Sequence, residues 1–120
     1  MARILTVDDS VAMRQMVHAT LTSAGHDVLQ ACDGREALQL AGQHTFDLVI
    51  TDVNMPDLDG IALVRQIRAL SAYRHTPLLF LTTEGSPELK NEGRQAGATG
   101  WIMKPFNPER LLAVVDKVLK

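Results

Sequence analysis

The sequence predicts an α/β fold in which helices cover both faces of a doubly wound, five-stranded parallel sheet. Short apolar segments of strand length alternate five times with segments whose apolar residues recur at helical spacing. Two of the strand segments, at residues 48–50 and 78–81, are apolar throughout, which is typical of central strands buried on both faces. This alternation predicts a parallel sheet, and right-handed crossovers then restrict the topology to a doubly wound (βα)5 sheet.

The composition indicates one globular domain of 120 residues, of which 46% are hydrophobic and 22% charged. A formal net charge of -2 gives no electrostatic reason to expect nucleic acid or a membrane as a partner. The N-terminal apolar run is followed at once by Asp8 and Asp9, unlike a secretory signal. The single Cys32 excludes an internal disulfide and fits a reducing compartment. We therefore expect a cytoplasmic monomer in which Cys32 is a small buried side chain.

The first half of the chain predicts two strands and two helices in alternation, at residues 3–7, 11–24, 27–31 and 35–42. Ser10 is suited to cap the start of the first helix, and Gly25 lies just beyond its end. The larger apolar residues of this helix are expected to pack in the core: Met13, Met16, Val17 and Leu21. The second strand is the less apolar of the two, so we expect it nearer an edge of the sheet.

The second half predicts three strands and three helices in alternation, at residues 47–51, 61–70, 77–81, 87–96, 99–103 and after Asn107. Ser86 and Pro87 form a typical helix start, and Asn107 caps the last helix. Residues 73–76 are expected to be a loop. The helix at 87–96 has only Leu89 as a large apolar anchor, so it should be held weakly.

Chemically matched side chains stand at the ends of four of the predicted strands, namely Asp8, Asp9, Asp52, Thr82 and Lys104. Because the carboxyl ends of parallel strands meet at one edge, we expect these groups to lie close together. Three carboxylates repel one another, and a divalent cation such as Mg²⁺ would compensate them. With an ammonium and a hydroxyl nearby, the site could hold a phosphoryl group, with Asp52 as the nucleophile that forms an acyl phosphate. The alternative is that these are unrelated strand-end acids and a surface lysine.

The chain resembles the receiver domains of two-component response regulators, of the CheY-like, single-domain type. The residues that carry the resemblance are Asp8-Asp9, Asp52, Met55-Pro56, Asp59-Gly60, Thr82 and Lys104-Pro105-Phe106. The resemblance implies a flavodoxin-like fold with strand order 2-1-3-4-5 and a single receiver domain over residues 1–120. It also implies a signalling protein rather than an enzyme, one that catalyses its own phosphorylation and dephosphorylation.

The resemblance assigns the chemistry of the site. It implies that Asp52 accepts the phosphoryl group from the phosphohistidine of a sensor histidine kinase of the chemotaxis type. Direct ligands of Mg²⁺, or of Mn²⁺ in its place, would be Asp9, Asp52 and the backbone carbonyl of Asn54. Asp8 would act through a metal-bound water, and Lys104 would contact the phosphoryl group. The Lys104-Pro105 bond is expected to be cis, as X-Pro bonds can be.

The resemblance also implies how the signal leaves the site. Thr82 is the switch hydroxyl, and Asn54 and Glu84 occupy positions that tune dephosphorylation. Trp101 stands where the family usually has Tyr or Phe as a switching aromatic. Two interpretations of Trp101 stay open: it changes position and reports phosphorylation, or it is a partly buried anchor that hardly moves.

The resemblance leaves several functions open. Because the sequence ends with the fifth predicted helix, we expect a stand-alone receiver that signals through the surface around Trp101, by analogy as a chemotaxis regulator acting on the flagellar motor switch. A phosphorelay intermediate and the excised receiver of a larger regulator are alternatives. A Mg²⁺-dependent phosphohydrolase with an aspartyl-phosphate intermediate is a further one, but such enzymes usually have an acid where Asn54 stands. A P-loop or other nucleotide-binding protein lacks support, since no glycine-rich phosphate loop occurs.

Overall fold

Five parallel strands form one sheet in the order β2-β1-β3-β4-β5 in the computed structural model, which describes residues 2–120. The strands are β1 (Arg3–Val7), β2 (Asp27–Ala31), β3 (Leu48–Thr51), β4 (Leu78–Thr82) and β5 (Gly100–Met103). The helices are α1 (Val11–Ser23), α2 (Gly34–Gln43), α3 (Gly60–Arg68), α4 (Pro87–Ala96) and α5 (Pro108–Leu119), with a short 3-10 turn at Ser71–Tyr73. The predicted fold class and strand order are confirmed, including the edge position of β2.

The helix ends follow the signals in the sequence. At each helix start a side-chain oxygen accepts a hydrogen bond from a backbone N–H of the first turn, supplied by Ser10, Asp33, Asp59, Ser86 and Asn107. Gly97 ends α4 with φ +113, a left-handed conformation that favours glycine. The predicted strand and helix bounds differ from the observed ones by at most two residues, the usual uncertainty at element ends, and those of β1, β2 and α4 coincide.

Two apolar cores lie on opposite faces of the sheet. Side chains of β1 alternate between them, since Leu5 and Val7 face α2, α3 and α4 while Ile4 faces α1 and α5. The expectation of a buried Cys32 is wrong: the residue is exposed, because it follows the edge strand β2 in the turn before α2. Met16 is also misassigned and is 53% exposed, since Val17 and Leu21 form the buried side of α1.

Two polar side chains connect loops to the cores. Tyr73, predicted to lie in a loop, is buried at the end of the 3-10 turn. Its hydroxyl oxygen accepts from the Phe46 amide at 3.3 Å and lies 2.6 Å from the carbonyl oxygen of His44. The guanidinium of Arg68, at the end of α3, donates to the carbonyl of Gly97 at 2.6 Å. The weakly packed helix α4, which buries only Gly93 and Ala96, is thereby held at its C-terminal end.

Among residues 2–120, none of the helices combines the length and the apolar character that crossing a membrane requires.

The Tyr73 hydroxyl is expected to contribute measurably to stability. In Y73F the ring stays in place, but the Phe46 amide and the carbonyls that share the hydroxyl lose a buried partner. Leaving such groups unpaired costs about 1–3 kcal/mol, so we expect the free energy of unfolding in urea to fall by that amount. S71A, at an exposed residue of the same 3-10 turn, is the control and should change it by less than about 0.5 kcal/mol. Equal urea midpoints for Y73F and the wild type would contradict this role.

Candidate functional site

Three carboxylates gather at the carboxyl edge of the sheet. The parallel register pairs Val7 of β1 with Thr51 of β3, so the next residues, Asp8 and Asp52, leave adjacent strands at the same level. Asp9 follows directly, and each of the three acids offers a carboxylate oxygen within 4.8 Å of the others. Asp8 and Asp52 are almost completely buried, whereas Asp9 is exposed to solvent. The cluster is therefore open to solvent on the side of Asp9.

The backbone fixes the two buried acids. The Asp52 amide donates to the Val7 carbonyl at 3.0 Å, which extends the pairing of β1 and β3 by one residue. One oxygen of Asp52 accepts from the amide of Val53 at 2.7 Å, and one oxygen of Asp8 accepts from the amide of Ser10 at 2.9 Å. Gly60 packs so closely on the backbone of Asp52 that a Cβ there would overlap it. In both carboxylates, one oxygen is thus hydrogen-bonded to a backbone amide and the other points into the site.

Lys104 supplies the cation that lies between these acids. Its Nζ donates to Asp8 at 2.8 Å and to Asp52 at 3.0 Å, and the three side chains are only 10%, 8% and 11% exposed. Burial alone would lower the pKa of Lys104, but the hydrogen bonds and negative charges of Asp8 and Asp52 outweigh it and raise the pKa above its ordinary value. The peptide bond to Pro105 is cis. Lys104 is thus held in its charged form in the site.

The donor set fits a hard divalent cation. Three carboxylates and one ammonium leave the cluster with a net negative charge when all are ionised. Mg²⁺ prefers oxygen ligands and usually keeps several waters beside one or two carboxylates, and the exposed Asp9 leaves this cluster accessible to water. The cluster of Asp8, Asp9 and Asp52 could therefore hold a metal ion.

The loop that follows β4 (residues 83–86, the β4–α4 loop) is connected to this site through Thr82, at the end of β4, and through Glu84 of the loop itself. Thr82 is fully buried at the end of β4, and its hydroxyl accepts from the Glu84 amide at 3.2 Å. The Glu84 carboxylate accepts from the side-chain amide of Asn54 at 3.0 Å. Asn54 and Glu84 are both exposed, so this pair stands at the rim of the acidic cluster.

Trp101 reaches the same loop from β5. The indole Nε1 donates to the backbone carbonyl of Glu84 at 2.8 Å. The ring is half-buried and packs on Phe80 of β4, with ring centroids 4.8 Å apart and an interplanar angle of 52°. The structure therefore brings Trp101 to the loop through Glu84, and not to the carboxylates themselves.

Two residues of this region escaped the sequence reasoning. The Arg14 guanidinium donates to the backbone carbonyl of Asp8 at 2.7 Å and so supports the acid from α1. A basic residue one turn after the cap Ser10, which itself follows the acid pair, is the signal that could have indicated it. Gly93 of α4 faces the indole of Trp101, and a glycine in the middle of a helix is an unusual choice that calls for a packing reason.

The chain is similar to known proteins over nearly its whole length. A family model, the response regulator receiver domain, matches residues 4–116. The chain is 40% identical over 119 residues to the chemotaxis protein CheY homolog of Campylobacter jejuni, covering 98% of this chain and 92% of that protein. Identity and coverage are the same for the chemotaxis protein CheY-3 of Vibrio cholerae. The solved structure of chemotaxis protein CheY4 of Vibrio cholerae has a TM-score of 0.96 and 54% identity, covering 98% of both chains.

Lys104 is expected to give the stability a specific pH dependence. Because folding raises the pKa of Lys104, the folded state binds this proton more tightly than the unfolded state does. The stabilisation is complete below the ordinary value of 10.5 and is lost as the pH rises through the folded pKa. In metal-free buffer K104M should lower the free energy of unfolding by roughly 2 kcal/mol at neutral pH, since two buried acids then face each other.

The measurement is the urea midpoint as a function of pH. K104M should show a smaller alkaline loss of stability than the wild type, while K117M, at an exposed lysine of α5, should keep the wild-type profile. Burial also raises the pKa of Tyr73, but this residue is present in all three proteins and cancels in the difference. Parallel profiles for K104M and the wild type would show that Lys104 is not coupled to folding.

Proposed function

The chain belongs to the response regulator receiver domain family, and we propose that Asp52 is its phosphoacceptor, charged by the phosphohistidine of a sensor histidine kinase. We further propose that residues 1–120 act as one receiver domain in the cytoplasm. CheY-like receiver domains are signalling proteins and not classical enzymes. The observation that carries the proposal is the contact of Lys104 with Asp52, one of the two buried acids of the acidic cluster.

The transfer is a substitution at phosphorus. A carboxylate oxygen of Asp52 forms the new P–O bond while the P–N bond to the kinase imidazole breaks, and the imidazole keeps the electron pair. Lys104 stands within 3.0 Å of Asp52, where its charge can balance the transferring phosphoryl oxygens. Mg²⁺, or Mn²⁺ in its place, held by Asp9, Asp52 and the Asn54 carbonyl and through water by Asp8, would supply further neutralisation of the phosphoryl charge.

We assign the loss of the phosphoryl group to hydrolysis that the chain itself promotes. Asn54 and Glu84 stand at the rim of the cluster, hydrogen-bonded to each other at 3.0 Å. A water that attacks the acyl phosphate from solvent would approach past this pair, so the size and charge of the two side chains would tune the rate of hydrolysis. This position supports their assignment as the residues that set the lifetime of the phosphorylated state.

The switch is proposed to run from Thr82 to Trp101. A phosphoryl group on Asp52 adds charge and acceptor oxygens beside the buried Thr82, whose hydroxyl now accepts from the Glu84 amide. Donation of that hydroxyl to the phosphoryl group would alter the β4–α4 loop, to which Trp101 is bonded. The output would then leave through the face formed by α4, β5 and α5. The chemotaxis names of the relatives support a motility target, with the flagellar motor switch as the proposed partner.

Asp52 is expected to be the only site of covalent labelling. With radiolabelled acetyl phosphate and Mg²⁺, the wild type should incorporate at most about one phosphoryl group per chain, and D52N none. D57N is the matched control: Asp57 is an exposed acid of the same loop with φ 67, a conformation that Asn also tolerates. D57N should be labelled like the wild type. Labelling of D52N, or sustained turnover of sugar phosphates, would contradict the proposal and favour the phosphohydrolase.

Trp101 is expected to report phosphorylation. It is the single tryptophan of the chain, and its indole N–H is bonded to the loop that begins directly after Thr82. Addition of beryllofluoride or acetyl phosphate in the presence of Mg²⁺ should change its fluorescence in the wild type. D52N under the same conditions is the control and should give no change beyond that caused by Mg²⁺ alone. A wild-type signal that stays constant through both additions would count against this role.

A further inference from the structure

We propose that Gly93, because it has no side chain, leaves the space in which the indole of Trp101 packs; we call this space the indole seat. We also propose that Gly93 and Trp101 together position Glu84 at the rim of the acidic cluster. Gly93 is therefore a positioning residue, acting through Trp101 on the β4–α4 loop. The three residues lie on three different elements, α4, β5 and the loop between β4 and α4. The proposal rests on the packing around the indole and on the three hydrogen bonds of Glu84.

The indole fills the space between β4 and α4. On one side it packs against Phe80, which is completely buried in β4. On the other side lies Gly93: a Cβ built there would be 2.7 Å from Cζ3 of Trp101 and 2.9 Å from Cε2 of Phe80. Both distances are shorter than carbon atoms tolerate, and both neighbours are rigid rings. The hydrogen atom of glycine is what leaves room for the indole.

Gly93 destabilises the helix in which it lies. Apart from proline, glycine is the least favourable residue inside a helix, and α4 has few apolar contacts to offset this. By contrast, Gly42 near the end of α2 has open space around it, with no atom within 4 Å of a built Cβ. The close approach of Trp101 thus accounts for a glycine in the middle of α4.

The seated indole fixes the Glu84 backbone. Its N–H donates to the Glu84 carbonyl at 2.8 Å, while the Glu84 amide donates to the Thr82 hydroxyl at 3.2 Å. With both ends of its backbone held, Glu84 presents its carboxylate to the side chain of Asn54 at 3.0 Å. A larger side chain at position 93 would push the half-exposed indole outward, because the completely buried Phe80 cannot move while the indole packs against it. The carbonyl of Glu84 would then lose its partner.

The test compares G93A with G42A, each in the wild type and in W101F. From helix propensity alone, both alanine variants should raise the urea midpoint, by roughly 0.5 M. We expect G42A to do so in both backgrounds. G93A should instead lower the midpoint in the wild type and raise it in W101F, since removal of the benzo ring of the indole leaves space into which the Phe80 ring can shift away from the new methyl group. The sign of the G93A effect thus depends on residue 101.

The spectroscopic readout is specific to the seat. G93A should shift the Trp101 emission to longer wavelength as the indole moves into water, and G42A should not. A rise of the midpoint for G93A in the wild type, an equal fall in both backgrounds, or an unshifted emission would each overturn the proposal. An equal fall would locate the clash at Phe80 alone.

The effect on phosphoryl lifetime rests on the proposed function and is measured separately. If Glu84 tunes hydrolysis, the lifetime of phosphorylated G93A should move from the wild-type value towards that of E84A, and G42A should keep the wild-type value. If E84A itself has the wild-type lifetime, the tuning role of Glu84 fails. The urea and emission results still decide whether Gly93 seats the indole.

Discussion

The ammonium of Lys104 lies between two buried carboxylates, at 2.8 Å from Asp8 and 3.0 Å from Asp52, and the carboxyl edge of the sheet is built around this contact. Two ionised acids that leave adjacent strands at the same level repel each other, and burial removes the water that would screen them. The lysine directly follows β5, which lies two strands away from β3, so its side chain crosses the end of β4. The strand order, the acid pair and the lysine therefore depend on one another.

Glu84 joins this edge to the outer surface through three different groups. Its amide bonds to Thr82, its carboxylate to Asn54 and its carbonyl to Trp101. The first two contacts lie on the side of the acidic cluster, and the third lies on the side of β5. A displacement of the loop would change all three contacts together, because they belong to a single residue. The loop is thus a short physical connection between the buried acids and the only tryptophan.

The sequence was sufficient for the sheet and for the groups at its edge, because apolar alternation and strand-end residues are local signals. The sequence was insufficient wherever the contacts or exposure of a side chain depend on residues far away in the sequence. Tyr73 looked like a loop residue, yet it pairs with Phe46, and no local pattern records that contact. Cys32 and Met16 were assigned from residue type, while their exposure depends on the edge of the sheet and the face of α1. The roles of Arg14 and Gly93 likewise require the packed neighbours.

The hydrogen bonds of Arg68 determine how the attachment of α4 responds to salt. Its guanidinium binds the carbonyl oxygens of Gly97, Tyr73 and Thr76, at 2.6, 2.7 and 2.7 Å. Dissolved ions screen pairs of exposed charges, such as Arg3 with Asp27, far more than a partly buried cation bound to neutral carbonyls. The indole bond to Glu84 is likewise made to a neutral group. We therefore expect the attachment of α4, at its C-terminal end and at the loop before it, to depend only weakly on ionic strength.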